Sequence, residues 1–177
     1  MVTYLQTLFL WYPNVICKGL VMTVFFEIII YNISGIMTKS TYKIRLSRSW
    51  KKRLVLSLYV SIVFMLTIAL RQPSDSFRII LIPFKSYKSI LNHSYIVAEN
   101  IFENIIMLIP FGVIFPMTVV KEKMVYVLKY GFFLSLLIEV LQLVMKRGYF
   151  EVDDIINNFI GVVLGYVLYY YKIKKVI

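Results

Sequence analysis

The sequence predicts an all-α fold, a polytopic membrane helical bundle of about five transmembrane helices with an outer interfacial or re-entrant loop. Three observations predict it. Hydrophobic residues make up 60% of the 177, charged residues only 16%, and mean hydropathy is +0.78, well beyond the roughly half-apolar average of soluble domains. Leu54 to Leu70 is an uncharged run free of Gly and Pro, bounded by Arg53 and Arg71, close to the roughly 20 residues a crossing helix needs. Lys and Arg cluster beside the apolar segments, the usual mark of cytoplasmic membrane edges, so the net charge of +11 is not read as a nucleic-acid footprint. The single cysteine, Cys17, excludes an internal disulfide and reads as a small buried apolar residue.

Taken in order, the first apolar segment is split by Pro13-Asn14 and Lys18. Residues 1 to 12 are expected at the interface, anchored by Trp11 and Tyr12, with a crossing from Lys18 onward. Glu27 falls within that crossing. An intramembrane carboxylate is a functional candidate, or else pairs with Lys18 or with a polar group on a neighbouring helix. Lys39 to Arg53 holds seven basic and no acidic residues, as a juxtamembrane segment facing anionic headgroups does. After the Leu54 to Leu70 span, residues 71–100 turn polar. Phe77 to Phe84 is too short to cross and reads as a strand-like piece at the membrane surface, capping the bundle. His93, the only histidine, reads as solvated. Ile101 to Val120 is the next span, with Pro110 and Pro116 predicting kinks whose freed carbonyls need partners. Met124 to Met145 and Asp154 to Tyr171 complete the set. The expected organisation is an N-terminal membrane segment plus basic cytoplasmic loop (1–53), a transmembrane bundle (54–171) and a basic cytoplasmic tail (172–177).

Orientation follows from the positive residues. The 39–53 loop, Lys121 and Lys123, and Lys172, Lys174 and Lys175 together hold twelve, against six on the other side at Arg71, Arg78, Lys85, Lys88, Lys146 and Arg147. The N-terminus is therefore expected outside and the C-terminus in the cytoplasm. This topology brings the start of the Ile101 span, the end of the Met124 span and the start of the Asp154 span to one outer face. Glu99, Glu103, Asn104, Glu139, Gln142, Arg147, Asp153, Asp154 and Asn157 then converge on an outward cavity, and all of these but Glu99 are picked out as its ligand-binding residues. By helix rise Glu139 lies about 10 Å below Lys146, and Asn157 about 5 Å below Asp154. Duller roles stand beside this one. Asp153 or Asp154 can cap the last helix, Lys146 and Arg147 can end the preceding one, and Gly161 with Gly165 makes a close-packing face. Glu139, sharing a face with Gln142, resists such an explanation.

At these residues the chain resembles the VanZ-like family of small membrane proteins, named for a protein associated with resistance to teicoplanin. The match lies in LIPF at 81–84, in ENIIMLIPFGVIFPM at 103–117, and in the Glu-x-x-Gln, Arg-Gly, Asp-Asp-x-x-Asn and Gly-x-x-x-Gly pattern from Glu139 to Gly165. It covers roughly residues 54–170 and leaves the first 50 outside. The resemblance implies a bacterial cell-membrane protein that affects glycopeptide susceptibility, and supplies no established reaction. The leading expectation is a protein whose cavity engages a lipid, a lipid-linked cell-wall precursor or the glycopeptide itself. Arg147 would be its bidentate phosphate or carboxylate contact. The rival is an intramembrane enzyme with Glu103, Glu139, Asp153 and Asp154 as acid, base or oxygen ligands of a hard cation. No Ser-His, Cys-His, HExxH or phosphate-loop pattern is present, so no catalytic residue, metal or cofactor is assigned. Glu139, Glu103 and Asp154 are the catalytic candidates. Five spans disfavour an inverted-repeat transporter, and a homo-oligomer is left open.

Overall fold

A computed structural model describes residues 18–29, 31, 50–73, 77–91, 95–119 and 123–173. Helix α1 covers 18–29. α2 is Trp50–Phe64 and continues as a π-helical turn, Met65–Ala69. After the short α3, Lys85–Leu91, come α4, Tyr95–Thr118, and α5, Met124–Val144. The last helix, α6, is Val152–Leu168 and also ends in a π-helical turn, Tyr169–Ile173. Four of these helices, Trp50–Ala69, Tyr95–Thr118, Met124–Val144 and Val152–Ile173, are long and apolar enough to cross a membrane. The protein is thus an all-α membrane helical bundle. The expected first crossing lies only partly within the described residues. The N-terminal interfacial piece, Cys17, most of the basic 39–53 loop, His93, Lys121 and the tail beyond Ile173 lie outside them.

The helices bury small polar side chains beside apolar ones and expose many large apolar residues, as a bundle surrounded by lipid does. On α2, Ser57, Ser61 and Thr67 are buried while Val55, Leu58, Ile62 and Leu66 are exposed. Each buried hydroxyl donates to a backbone carbonyl three or four residues back, so it enters the interior already satisfied. The core is built of Leu108, Phe111 and Phe115 from α4, Val127 and Ile138 from α5, and Val162 and Tyr166 from α6. α4 and α6 approach most closely. A Cβ on Gly161 would overlap the Ile105 carbonyl, and one on Gly165 the Ile109 carbonyl, so these two glycines do form the close-packing face. Both prolines sit inside a continuous α4.

α5 stops in a Schellman arrangement. The Lys146 N–H bonds to the Leu143 carbonyl and the Arg147 N–H to the Gln142 carbonyl, with Lys146 at φ 54° where glycine is usual. The chain then runs extended, and Phe150–Glu151 (β2) pairs in parallel with Ile79–Ile80 (β1). The strand-like 77–84 piece is therefore a two-residue ladder that fastens the loop after α2 to the α5–α6 turn. Its apolar side chains Phe77, Ile79, Leu81, Ile82 and Phe84 are exposed. α1 joins α2 through an ion pair between Glu27 and Arg53 at 3.3 Å. Glu27 is thereby partnered by a neighbouring helix, at the opposite end of α2 from Arg71.

Candidate functional site

The end of α2, the start of α4, the end of α5 and the start of α6 meet at one end of the bundle and enclose a chamber of about 390 Å³. Its wall combines the guanidinium of Arg71 with the carboxyls of Glu103, Glu151 and Asp154. Asn100, Asn104, Ser86 and Tyr149 add neutral polar groups, and Gly148 with the apolar Val97 and Ile101 completes the wall. Asn104 lies within interaction distance of Asp154, which sets α4 against α6 at the chamber. A Cβ at Gly148 would stand 3.1 Å from Arg71 Nη1, so glycine there leaves room for the guanidinium.

Of the eight residues picked out in the sequence, Glu103, Asn104 and Asp154 line this chamber. Four others are buried behind it and hold its walls. Glu139, 2% exposed, accepts the Glu151 N–H at 3.1 Å, and it lies within electrostatic reach of Asp154 and Arg71. Gln142 donates to the Thr67 carbonyl at 3.2 Å, one of the carbonyls that the end of α2 leaves without an intrahelical donor. Asn157 accepts a hydrogen bond from the Tyr87 hydroxyl. Asp153 accepts the backbone N–H groups of Phe84 and Ser86 at 2.6 and 2.8 Å.

The bonds of Asp153 correct one expectation. An aspartate was expected to cap α6 itself, yet Asp153 caps α3, a helix remote in sequence, while its own helix has no side-chain cap bond. Both acidic groups still sit in the first turn of α6, where the helix dipole favours them. The capping also holds Phe84 at φ 61°, a left-handed conformation that a bulky residue adopts only under constraint.

Arg147 is placed elsewhere. Its guanidinium donates to the Arg71 carbonyl and it does not line the chamber, whereas Arg71 does. Glu99 is exposed and also off the wall. The sequence reading passed over Arg71, Asn100, Tyr149 and Glu151 as site residues. The usable signal was position, because Arg71 terminates the clearest span and faces the same end as the α5–α6 turn.

Electrostatically the chamber is mixed, with acid in excess. Burial, and then the Asp153 carboxylate, push the Glu151 carboxyl above its usual range, with Lys85 acting the other way. Burial and Asp153 likewise raise the Tyr87 phenol. Among the described residues no group of three or more His, Cys, Asp or Glu is placed to hold a metal ion. The arrangement offers carboxyl acceptors for ammonium or hydroxyl donors, and one guanidinium for a phosphate or carboxylate.

A family model described as VanZ/LLP1 matches residues 53–174. No curated protein and no solved structure matches the chain.

Proposed function

The chain belongs to the VanZ/LLP1 family, and from that membership we propose that it lowers glycopeptide action, of the teicoplanin type, at the bacterial cell membrane. In this reading the chamber opens outward and engages a lipid, a lipid-linked cell-wall precursor or the drug. The observation that carries the proposal is the meeting of Arg71, Glu103, Asn104, Glu151 and Asp154 in one cavity, since groups such as Glu103, Asn104 and Asp154 inside membrane-spanning helices are costly unless they work. The outward orientation is supported by the excess of Lys and Arg in the segments at the other end of the helices.

Teicoplanin susceptibility tests it, in cells that carry the wild-type chain, Glu103→Gln or Asp154→Asn at equal membrane abundance. Both variants are expected to become as susceptible as cells lacking the gene. Unchanged susceptibility in the deletion would sink the proposal. A second reading, a carboxylate-dependent enzyme acting on a lipid-linked substrate, is favoured by one feature. Glu139 is buried within electrostatic reach of Asp154 on the chamber wall, as a general acid or base held out of water would be. Turnover of a purified lipid-linked substrate that vanishes in Glu139→Gln would establish it, and binding without turnover would reject it.

A further inference from the structure

The polar chamber adjoins a second cavity of different character. Between α2 and α4 runs a groove of about 610 Å³, walled by apolar residues such as Ile62, Leu66, Phe102, Ile106 and Met107. Arg71, Glu103 and Asn104 belong to both walls, so the polar end of the groove lies against the chamber with these three side chains between them. At its other end, Tyr59 bridges the helices by donating to the Met107 carbonyl at 2.6 Å. From Arg71 to Tyr59 the helix rise gives roughly 18 Å along α2, and from Glu103 to Pro110 roughly 10 Å along α4. These bracket about 15 Å, half the thickness of a bilayer's hydrocarbon core. The groove therefore has the depth of one leaflet.

We infer that the two cavities form one site for a membrane lipid with a zwitterionic, primary-amine headgroup, its head in the chamber and one acyl chain in the α2–α4 groove. This rests on the proposed function only in taking the chamber as the working site. Charge selects the headgroup. A lone phosphate would face Glu103, Glu151 and Asp154 across the same small space as Arg71, and a neutral head would leave the carboxyls, which outnumber Arg71, without a counter-charge. A head carrying both signs gives its phosphate to the guanidinium and its ammonium hydrogens to the carboxyls. Size agrees. A volume of about 390 Å³ lies at the low end of small-molecule sites, which suits a phospholipid head and not a sugar–peptide one.

The test uses the full chain in phosphatidylcholine vesicles doped with a phosphatidylethanolamine that carries a photoactivatable group in its acyl chain. Cross-links are expected in the α2 and α4 peptides, competed by unlabelled phosphatidylethanolamine and not by phosphatidylglycerol. Loss of one charge-assisted contact in Arg71→Gln should weaken labelling about tenfold. Ile106→Trp, which fills the groove, should abolish it, while Phe133→Trp on the exposed face of α5 should not. Labelling spread equally over the outer faces of α5 and α6 would mean boundary lipid only and overturn the inference, as would equal competition by phosphatidylglycerol. Failure here is separable from failure of the resistance reading. Labelling can be present where deletion leaves susceptibility unchanged, and absent where deletion alters it.

Discussion

At the scale of single residues, side chains of one chemical type divide sharply by role. Asp153 and Asp154 are adjacent, yet Asp153 has both oxygens committed to the Phe84 and Ser86 amides while Asp154 faces the chamber. Asp153→Ala should therefore cost about 2–3 kcal/mol of stability, because two amides lose a charged acceptor, and thermal unfolding in detergent reads it. A melting temperature equal to wild type would show that α3 is held by something else. Asn158 behaves in the opposite sense. It is fully buried, and neither its Oδ1 nor its Nδ2 has a hydrogen-bond partner among the described residues. Replacing an unsatisfied polar group with an apolar one of similar shape is neutral or stabilising, so Asn158→Leu is expected to melt at or above the wild-type temperature. A clear drop would mean that the amide is engaged after all. Legibility also differed residue by residue. Glu103, Asn104 and Asp154 stood out as polar groups at the starts of apolar runs. Arg71 did not, since a cation ending a span is ordinary until something is shown to gather around it.

Among the elements, α4 and α6 decide the architecture. Their backbones touch where Gly161 and Gly165 meet the Ile105 and Ile109 carbonyls, and this close approach brings Asn104 and Asp154 together one to two turns away. Gly161→Ala is expected to force the helices apart at a cost at or above the about 1–3 kcal/mol of ordinary overpacking, and to loosen the chamber with them. Gly19→Ala on α1, where a Cβ meets nothing within 4 Å, is the matched control. Equal unfolding temperatures for the two variants would contradict the close packing. The Gly-x-x-x-Gly spacing made this pairing readable in advance, though not which helix would receive it. The cap by Asp153 was unreadable, because its partner helix is remote in sequence and lacks a hydrophobic period of its own.

For the whole molecule, the predictions concern orientation and pH. With Cys17 replaced by serine, a cysteine at the exposed Lys146 position (Lys146→Cys) should react with an impermeant thiol reagent added outside intact cells. Labelling only after the membrane is opened would reverse the topology and close the proposed site to external ligands. Glu151 links the fold to pH. Its carboxyl is raised by burial first and by Asp153 second, so its contribution is fully present below the ordinary glutamate value of about 4.3 and is lost as pH rises through the raised one. Unfolding temperatures measured from acid to neutral pH should fall less steeply in Glu151→Gln than in wild type. Identical slopes would remove Glu151 from the account.

Composition and the spacing of charges determined by themselves that this is a helical membrane protein, where the four spans after residue 49 lie, and that Glu103, Asn104, Glu139 and Asp154 gather at one end. Those properties follow from matching run length and polarity to a bilayer, which is local along the chain. Only the tertiary structure decided which polar groups face the chamber and which brace it. It placed Arg71 rather than Arg147 on the wall, buried Glu139 within electrostatic reach of Asp154, and set an apolar groove beside the chamber. These outcomes depend on the rotation of each helix about its axis and on close backbone contacts between helices distant in sequence, and a one-dimensional hydropathy pattern carries neither.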